Sequence, residues 1–357
     1  MDDALNLQDG SLFIQLPPEM RVEIYSHLFF STRVTWGSNI YSLTGQRTVP
    51  APNALALLRT CRQVHLEIGR TWLHQILFSF ESAQEMLEKL TDIPPATRAL
   101  IRHVRVSGDP LMLLDEDDEG VVCYCLSQVF TILPGLALDR LTILGPYRDP
   151  EECCEMLDML VRHGAGWKEL YFLAHDSTFL AYKHHLFSFP GGADEERFLR
   201  VPQPAGWQRA LDERDGDGAS VEIYRATSSH PCSVLLQPAT RARFAQALPP
   251  GKTLKTFSKE VDAFLMVPGE REKEVLVVVR RGKAVDYVQK EDMLCLEEGH
   301  LRLLREWKAA CYSTEARTEQ VHADIGERRS LMDHYTHVDE YRWQTAWTVP
   351  PDRTYCY

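Results

Sequence analysis

The residues best suited to metal chemistry are histidines, of which the chain has thirteen. His334 and His337 are three positions apart, Asp339 follows them, and His322 precedes them. Two imidazoles at this spacing on a helix can share a zinc ion, with a carboxylate as a third ligand. No second paired motif completes such a site. The pattern therefore favours a polar, aromatic surface segment, and we expect neither a metal nor a cofactor.

Motifs for nucleotide or hydrolytic chemistry are missing from the sequence. The phosphate-binding pattern Gly-x-x-x-x-Gly-Lys-Ser/Thr does not occur, and Gly164-x-Gly166 lacks the third glycine of a dinucleotide turn. Gly-x-Ser-x-Gly is also absent. The Asp/Gly-rich stretch 212–218 places Tyr224 where a calcium loop needs a bidentate glutamate, so we interpret it as a tight turn. We expect the protein not to be an enzyme.

The charge and the cysteines restrict the class of partner and the compartment. A formal net charge of −12 argues against nucleic acid as a partner, because phosphate binding requires an excess of Lys and Arg. The acidic run 115–119 is typical of a solvated loop. The nine cysteines form no Cys-x-x-Cys pair, and no apolar run is long enough to span a membrane. We expect a cytoplasmic or nuclear protein, with Cys123, Cys125, Cys153 and Cys154 as small apolar residues on helices.

The first elements along the chain are predicted to form a compact unit. Met20, Ile24 and Leu28 recur at helical spacing after a Pro-Pro pair, which predicts an amphipathic helix. Residues 33–44 contain two β-rich stretches around Gly-Ser-Asn and predict a hairpin. Asn53 is a suitable N-cap for one long helix reaching Trp72. A strand at 76–80 and a capping box at 82–85 follow.

Strands and helices then alternate with short connections. The pattern predicts strands at 101–106, 138–144, 170–173, 221–225 and 275–280, and helices at 121–133, 150–163 and 301–308. Such alternation favours a parallel sheet, although its irregular spacing makes it at best a degenerate repeat of leucine-rich-repeat type. The fold class we expect is α+β or α/β. The expected divisions are a helical module over 12–80, an α/β region over 81–310, and an irregular aromatic tail over 311–357 packed on the body.

Two motifs in the N-terminal unit resemble a known family. Residues 16–21 read Leu-Pro-Pro-Glu-Met-Arg, and residues 57–63 read Leu-Leu-Arg-Thr-Cys-Arg-Gln, followed by the strand Leu77-Phe78-Ser79-Phe80. This pattern resembles the F-box-like domain of a large group of filamentous-fungal proteins, whose C-terminal regions have no known activity. The resemblance covers roughly residues 12–80.

The resemblance implies a role in protein–protein interaction. F-box modules bind a Skp-family adaptor and thereby link a substrate-recruiting region to a cullin-type ubiquitin ligase. A partner, or alternatively the module's own core, would be contacted by the apolar residues of the two motifs, which are Leu16, Pro17, Pro18, Met20, Ile24, Tyr25, Leu28 and Leu58. The ligand recruited by the remainder of the chain is an unknown protein.

An alternative function places a small-molecule or enzymatic site in the α/β region. Parallel sheets bind ligands at the carboxyl ends of their strands. The loops 107–109, 145–147 and 174–176 would form that edge. Convergent polar residues with perturbed ionisation in one of these loops would support this alternative.

Overall fold

The computed structural model describes residues 11–36, 55–115, 120–145, 150–181, 201–229, 235, 238–257, 261–290 and 333–334. The α-helices are α1 (Leu12–Gln15), α2 (Pro18–Phe30), α3 (Arg62–Ile68), α4 (Ala83–Leu90), α5 (Pro95–Arg98), α6 (Leu126–Thr131), α7 (Pro150–His163), α8 (Thr178–Ala181), α9 (Ala205–Asp215) and α10 (Leu254–Phe257). Short 3₁₀ helices cover Ala56–Arg59, Thr71–His74 and Pro238–Thr240.

Helices and strands both contribute to the fold. The strands are β1 (Thr32–Trp36), β2 (Leu77–Phe80), β3 (His103–Ser107), β4 (Leu111–Asp115), β5 (Gly120–Tyr124), β6 (Leu138–Leu144), β7 (Trp167–Ala174), β8 (Ser220–Ala226), β9 (Arg241–Phe244), β10 (Val275–Arg280) and β11 (Asp333–His334). These elements confirm the expected α+β class, whereas the finer F-box and leucine-rich-repeat descriptions stay predictions.

One mixed sheet organises the described residues. Its strand order is β11-β1-β2-β3-β6-β7-β10-β8-β9, and β4 pairs with β5 in a separate hairpin. The strands from β1 to β7 in this order are parallel and follow the chain, as strand–helix alternation predicts. Strand β10 inserts between β7 and β8 and is antiparallel to both. The sheet is therefore parallel from β1 to β7 and antiparallel at both ends, because β11 also runs antiparallel to β1.

The two faces of the sheet differ in chemistry because the strand register aligns residues of one type. One face carries apolar rows such as Val104, Leu141 and Leu170, which pack with the buried sides of the helices in the main core. On the other face, Leu173, Leu276, Val278 and Ala226 form a smaller apolar cluster with Leu235. The helices in the main core therefore pack on one side of the sheet.

Helix α7 crosses the sheet closely at the ends of two strands. A Cβ at Gly145, just after β6, would lie 2.9 Å from Cys153 Sγ and 3.1 Å from Leu173 O. A Cβ at Gly108, just after β3, would lie 2.8 Å from Met156 Sδ. Glycine at both positions lets the helix pack against the sheet without steric conflict.

The long helix expected up to Trp72 is wrong. The described part of this segment forms a 3₁₀ turn, then α3, then a second 3₁₀ turn. Cys61 has extended backbone angles and caps α3 by accepting a hydrogen bond from Val64 N–H. Gly69 ends α3 with a φ of 53°, a conformation that suits glycine. Asn53 lies outside the described residues.

The helix expected over 121–133 is also partly wrong. Its first residues form β5, which pairs with β4, and only Leu126–Thr131 are helical as α6. Cys125 is the N-cap of α6, and Cys123 lies in β5 rather than in a helix. Val121 and Val122 are β-branched residues, which favour an extended strand over a helix. Cys153 and Cys154 do lie buried on a helix, α7, as expected.

The sheet continues across the boundary expected at residue 80. β1 pairs in parallel with β2, and β2 pairs in parallel with β3. β1 therefore joins the main sheet, and the second stretch of the expected hairpin lies outside the described residues. Trp36 stacks on Phe78 and Phe80 at ring separations of 5.8 and 4.9 Å, so its apolar face is buried by β2.

Several other predictions are confirmed. Ser82 accepts a hydrogen bond from Glu85 N–H at the start of α4, as the capping box predicts. Strands β6 and β10 and helix α7 occupy the predicted positions. The predicted helix at 301–308 and most of the tail at 311–357 lie outside the described residues, as does most of the acidic run 115–119.

Candidate functional site

Helix α2 places its core-facing row of residues next to the apolar row of Met20, Ile24 and Leu28. Arg21, Tyr25 and Phe29 are buried at intervals of four residues. Met20 and Ile24 are 50% and 41% exposed. An arginine begins the buried row, so apolar spacing alone does not decide which of the two rows faces the core.

A partly buried ion pair explains why arginine takes that inward position. Arg21 donates from Nε and Nη2 to the two carboxylate oxygens of Glu67 on α3, at 3.0 and 2.5 Å. Its Nη1 donates to the carbonyls of Ile14 (2.8 Å) and Leu16. The Tyr25 hydroxyl donates to Glu67 Oε2 at 3.0 Å. We call Arg21, Tyr25 and Glu67 the clasp, because they fasten α2 to α3 and to the turn before it.

The electrostatics of the clasp are consistent with a fixed, charged pair. Hydrogen bonding from Arg21, with smaller contributions from Gln63 and Tyr25, lowers the pKa of Glu67 to about 2. Burial, together with the neighbouring Glu67 carboxylate, raises the pKa of the Tyr25 hydroxyl to about 12. Tyr25 therefore remains a hydrogen-bond donor, and Glu67 an acceptor, throughout the physiological pH range.

The residues predicted to face a partner fall into three groups by exposure. Pro17, Pro18, Met20 and Ile24 are exposed, Leu16, Leu28 and Leu58 are half-buried, and Tyr25 is buried within the clasp. The structure thus leaves the Pro-Pro turn and one side of α2 in contact with solvent. We call Pro17, Pro18, Met20 and Ile24 the α2 surface.

Exposed large apolar side chains gather in two stretches of the described chain. The first runs from Leu12 to Phe30 and includes the α2 surface. The second covers residues 248–267 and includes Leu254 and Phe264. Outside them, the described residues contribute only Leu66 and Val288. Contiguous exposed apolar area is typical of interaction surfaces.

The sheet face opposite the main core carries polar side chains between its strands. Arg105 Nε donates to Ser79 Oγ at 3.1 Å, and both residues are buried. The Arg140 guanidinium lies 4.6 Å from the centre of the Tyr171 ring. Arg280 joins neighbouring strands by pairing with Glu169 and Glu222 at 3.3 and 2.8 Å. These contacts fasten strands to each other.

A histidine and an aspartate lie within hydrogen-bonding distance of each other in the loop after the parallel strand β7. His175 Nε2 lies 3.0 Å from Asp176 Oδ2 directly after β7. Burial alone would raise the pKa of the Asp176 carboxyl, but hydrogen bonds from His175 and Thr178 outweigh it and hold the pKa below its usual range. Asp176 also accepts from the Thr178 backbone N–H at 2.9 Å. The carboxylate therefore helps to fix the start of α8.

The next residue, Ser177, also forms hydrogen bonds that hold neighbouring segments together. Ser177 Oγ donates to Lys273 O at 2.8 Å and accepts from Arg225 Nε at 2.9 Å. Arg225 also pairs with Glu270 at 3.1 Å. At the end of β3, Ser107 donates to Asp109 at 2.7 Å. The side chains of Ser107, Asp109 and Asp176 thus bond to neighbouring residues, and residues 146–147 lie outside the described part.

Sequence reasoning missed the buried charged clusters. Asp215 at the end of α9 pairs with Arg281 and with Arg214, and burial opposed by these two guanidinium groups leaves the pKa of Asp215 below its usual range. Both arginines donate to Gly164 O beyond the end of α7. The sequence predicts a turn over 212–218, but α9 extends to Asp215, so the turn begins only after that residue. Neither the clasp nor this Asp215 cluster can be recognised from a local sequence pattern, because Glu67 and Arg281 lie far along the chain from their partners Arg21 and Asp215.

The described residues contain no cluster of metal ligands and no helix suited to span a membrane. Within them, no three His, Cys, Asp or Glu side chains are arranged to hold a metal ion. His334 lies in β11, whereas His322, His337 and Asp339 fall outside the described residues. None of the described helices combines the length and apolarity that a membrane span requires.

Comparison with known proteins gives no relative for this chain. No protein-family model matches it, and neither curated proteins nor solved structures give a significant match. The candidate surfaces therefore have to be assessed by their own geometry.

Proposed function

We propose that this protein is a non-enzymatic interaction protein whose α2 surface docks a Skp-family adaptor, so that the chain serves as a substrate-recruiting subunit of a cullin-type ubiquitin ligase. The observation that carries this proposal is the exposure of Met20 and Ile24 on a helix whose opposite side is fastened by the clasp. A rigid helix that presents apolar side chains loses little conformational entropy on binding.

The clasp supports the proposal because different residues of α2 serve its packing and its proposed contact with a partner. Arg21 and Tyr25 hold α2 against α3, so the helix does not need Met20 or Ile24 for its own packing. The resemblance of residues 16–21 and 57–63 to F-box-like motifs supports the choice of a Skp-family adaptor. The recruited ligand would bind elsewhere on the chain.

The test is a binding measurement between the purified full-length chain and a recombinant Skp-family adaptor, by titration calorimetry. The double variant Met20→Asp, Ile24→Asp is expected to weaken binding by at least about thirtyfold, since each substitution places a charge in an apolar contact worth about 1–3 kcal/mol. Both positions are exposed, so circular dichroism is expected to show an unchanged fold.

The matched control is Leu254→Asp on α10, where a leucine is 49% exposed in the second apolar stretch. This control is expected to bind the adaptor as the wild type does. Equal loss of binding in the control, or wild-type affinity in the double variant, contradicts docking through α2. Failure of the wild-type chain to bind any Skp-family adaptor contradicts the proposed function itself.

A further inference from the structure

We infer that the outer edge of β9 binds an extended segment of a partner protein whose residues alternate between acidic and apolar, and that this segment adds to the sheet as a further antiparallel strand. Strand β9 ends the sheet in the described part of the chain, at the end farthest from β1. The inference is independent of adaptor docking by α2.

The register of β9 fixes which peptide groups face outward. Thr227 N–H donates to Thr240 O at 3.0 Å, and these two residues lie directly opposite each other in the extension of the β8–β9 ladder. Hydrogen-bonded pairs alternate with non-bonded pairs in an antiparallel ladder. Ala242 and Phe244 therefore bond to β8, whereas the peptide N–H and C=O groups of Arg241 and Arg243 point away from it.

The side chains of those two residues make one face of the edge basic. The Arg243 side chain is 72% exposed and pairs with Glu222 at 3.2 Å. The Arg241 guanidinium lies 4.4 Å from the centre of the Tyr224 ring. Glu222 also pairs with Arg280 at 2.8 Å, and Arg280 pairs with Glu169 at 3.3 Å, so three arginines on this face are matched by two carboxylates. Glutamate or aspartate side chains on an added strand would complement this excess, and basic strands would be repelled.

The opposite face of the same edge carries two aromatic rings. Phe244 and Phe264 both lie beside the Arg225 guanidinium, with ring centres at 5.1 and 5.9 Å. Phe264 is 59% exposed, yet its turn is fixed because Asp262 Oδ1 accepts from the backbone N–H groups of Phe264 and Leu265 at 3.1 and 3.3 Å. Alternate side chains of an added strand would lie next to Phe244 on this face. The edge therefore suits an acidic–apolar alternation.

Synthetic peptides test this inference directly. The probe is a fluorescein-labelled peptide with the sequence Ser-Glu-Val-Glu-Leu-Glu-Val-Ser, titrated with the full-length chain by fluorescence anisotropy. In antiparallel pairing, the glutamates opposite Arg241 and Arg243 also donate their backbone N–H groups to β9. N-methylation of these glutamates is therefore expected to abolish binding, and replacement of each glutamate by lysine is expected to do the same.

Protein variants locate the peptide on the edge. Arg243→Glu is expected to weaken binding about tenfold, because an attractive surface pair becomes a repulsive one. Arg243→Pro is expected to weaken it further, since an outward-facing edge position tolerates proline but loses its N–H donor. Arg209→Glu, at an exposed position of α9, is the matched control and is expected to bind as the wild type does.

Three results would overturn the inference. The first is the absence of saturable binding to the wild-type chain up to about 1 mM protein, which corresponds to about −4 kcal/mol. The second is equal affinity for the N-methylated or the lysine peptide. The third is an unchanged affinity in both Arg243 variants. Adaptor binding is measured with the same variants and is expected to be unaffected, which keeps this inference separate from the α2 proposal.

Discussion

At the scale of single residues, charged side chains link distant parts of the chain. Arg21 reaches Glu67, Arg225 reaches Glu270, and Arg281 reaches Asp215. Guanidinium groups suit this use because they offer several donors in a rigid plane and remain charged when partly buried. Removing one partner would leave the other charge desolvated without compensation. Each of these ion pairs therefore holds two particular elements together and depends on both of its partners.

The carboxyl of Glu85 provides a prediction at this scale. Burial, reinforced by the nearby Glu81 charge, raises its pKa from 4.5 to about 7. The folded state therefore holds this proton more tightly than the unfolded state, and the stability of the fold falls as pH rises from about 4.5 through 7. Glu85→Gln keeps an acceptor for Glu81 N–H but cannot ionise.

We expect Glu85→Gln to match the wild type near pH 4.5 and to be more stable at pH 8, on the order of 1–2 kcal/mol after discounting for solvent screening of this half-buried group. Urea unfolding between pH 4.5 and 8 measures the difference. Glu213→Gln, at an exposed position of α9, is the control for simple charge removal. Parallel stability curves for wild type and Glu85→Gln would contradict the interpretation.

At the scale of elements, local signals and long-range pairing contribute in different ways. Helix α4 has a capping residue and a periodic apolar side, and its start is readable from the sequence. Strand β10 is equally readable as a strand, but its position between β7 and β8 is not, because its partners are far from it in the chain. Its nearly continuous valines fit a central strand that is covered on both faces.

The N-cap of α4 gives a prediction at this scale. Ser82 Oγ accepts a hydrogen bond from Glu85 N–H at 3.2 Å. Ser82→Ala removes this acceptor and is expected to lower the free energy of unfolding by about 1 kcal/mol. Ser82→Thr retains a hydroxyl and is expected to stay within about 0.5 kcal/mol of the wild type. Denaturant unfolding compares the three proteins, and equal losses in both variants would argue against a capping role.

At the scale of the whole molecule, the continuous sheet couples the N-terminal unit to the α/β region. Phe78 and Phe80 of β2 lie beside Val104 and Val106 of β3 in the same apolar rows. β2 thus buries the side of β3 that would otherwise be an exposed sheet edge. A unit fastened in this way is expected to unfold together with its neighbours.

Phe80→Ala tests this coupling. Phe80 is almost fully buried in the main core, and truncation there is expected to cost about 3–5 kcal/mol. If the sheet unfolds as one unit, amide hydrogen exchange accelerates in β7 as well as in α2. Acceleration confined to α2, β1 and β2 would instead indicate a separately folding module. Met20→Ala, at an exposed position of α2, is the control and is expected to leave exchange in both regions unchanged.

The sequence by itself determined the α+β class, several elements and the capping box of α4, because these depend on short-range periodicity and on hydrogen bonds between near neighbours. It also pointed to residues 16–24 as a surface of interest, although it left open whether a partner or the module's own core contacts them. Only the tertiary structure decided that Arg21 and not Met20 faces inward, that β1 and β2 belong to the main sheet, and that β9 forms an edge. Each of these outcomes depends on partners distant in the chain, such as Glu67 for Arg21, and no local pattern encodes such a pairing.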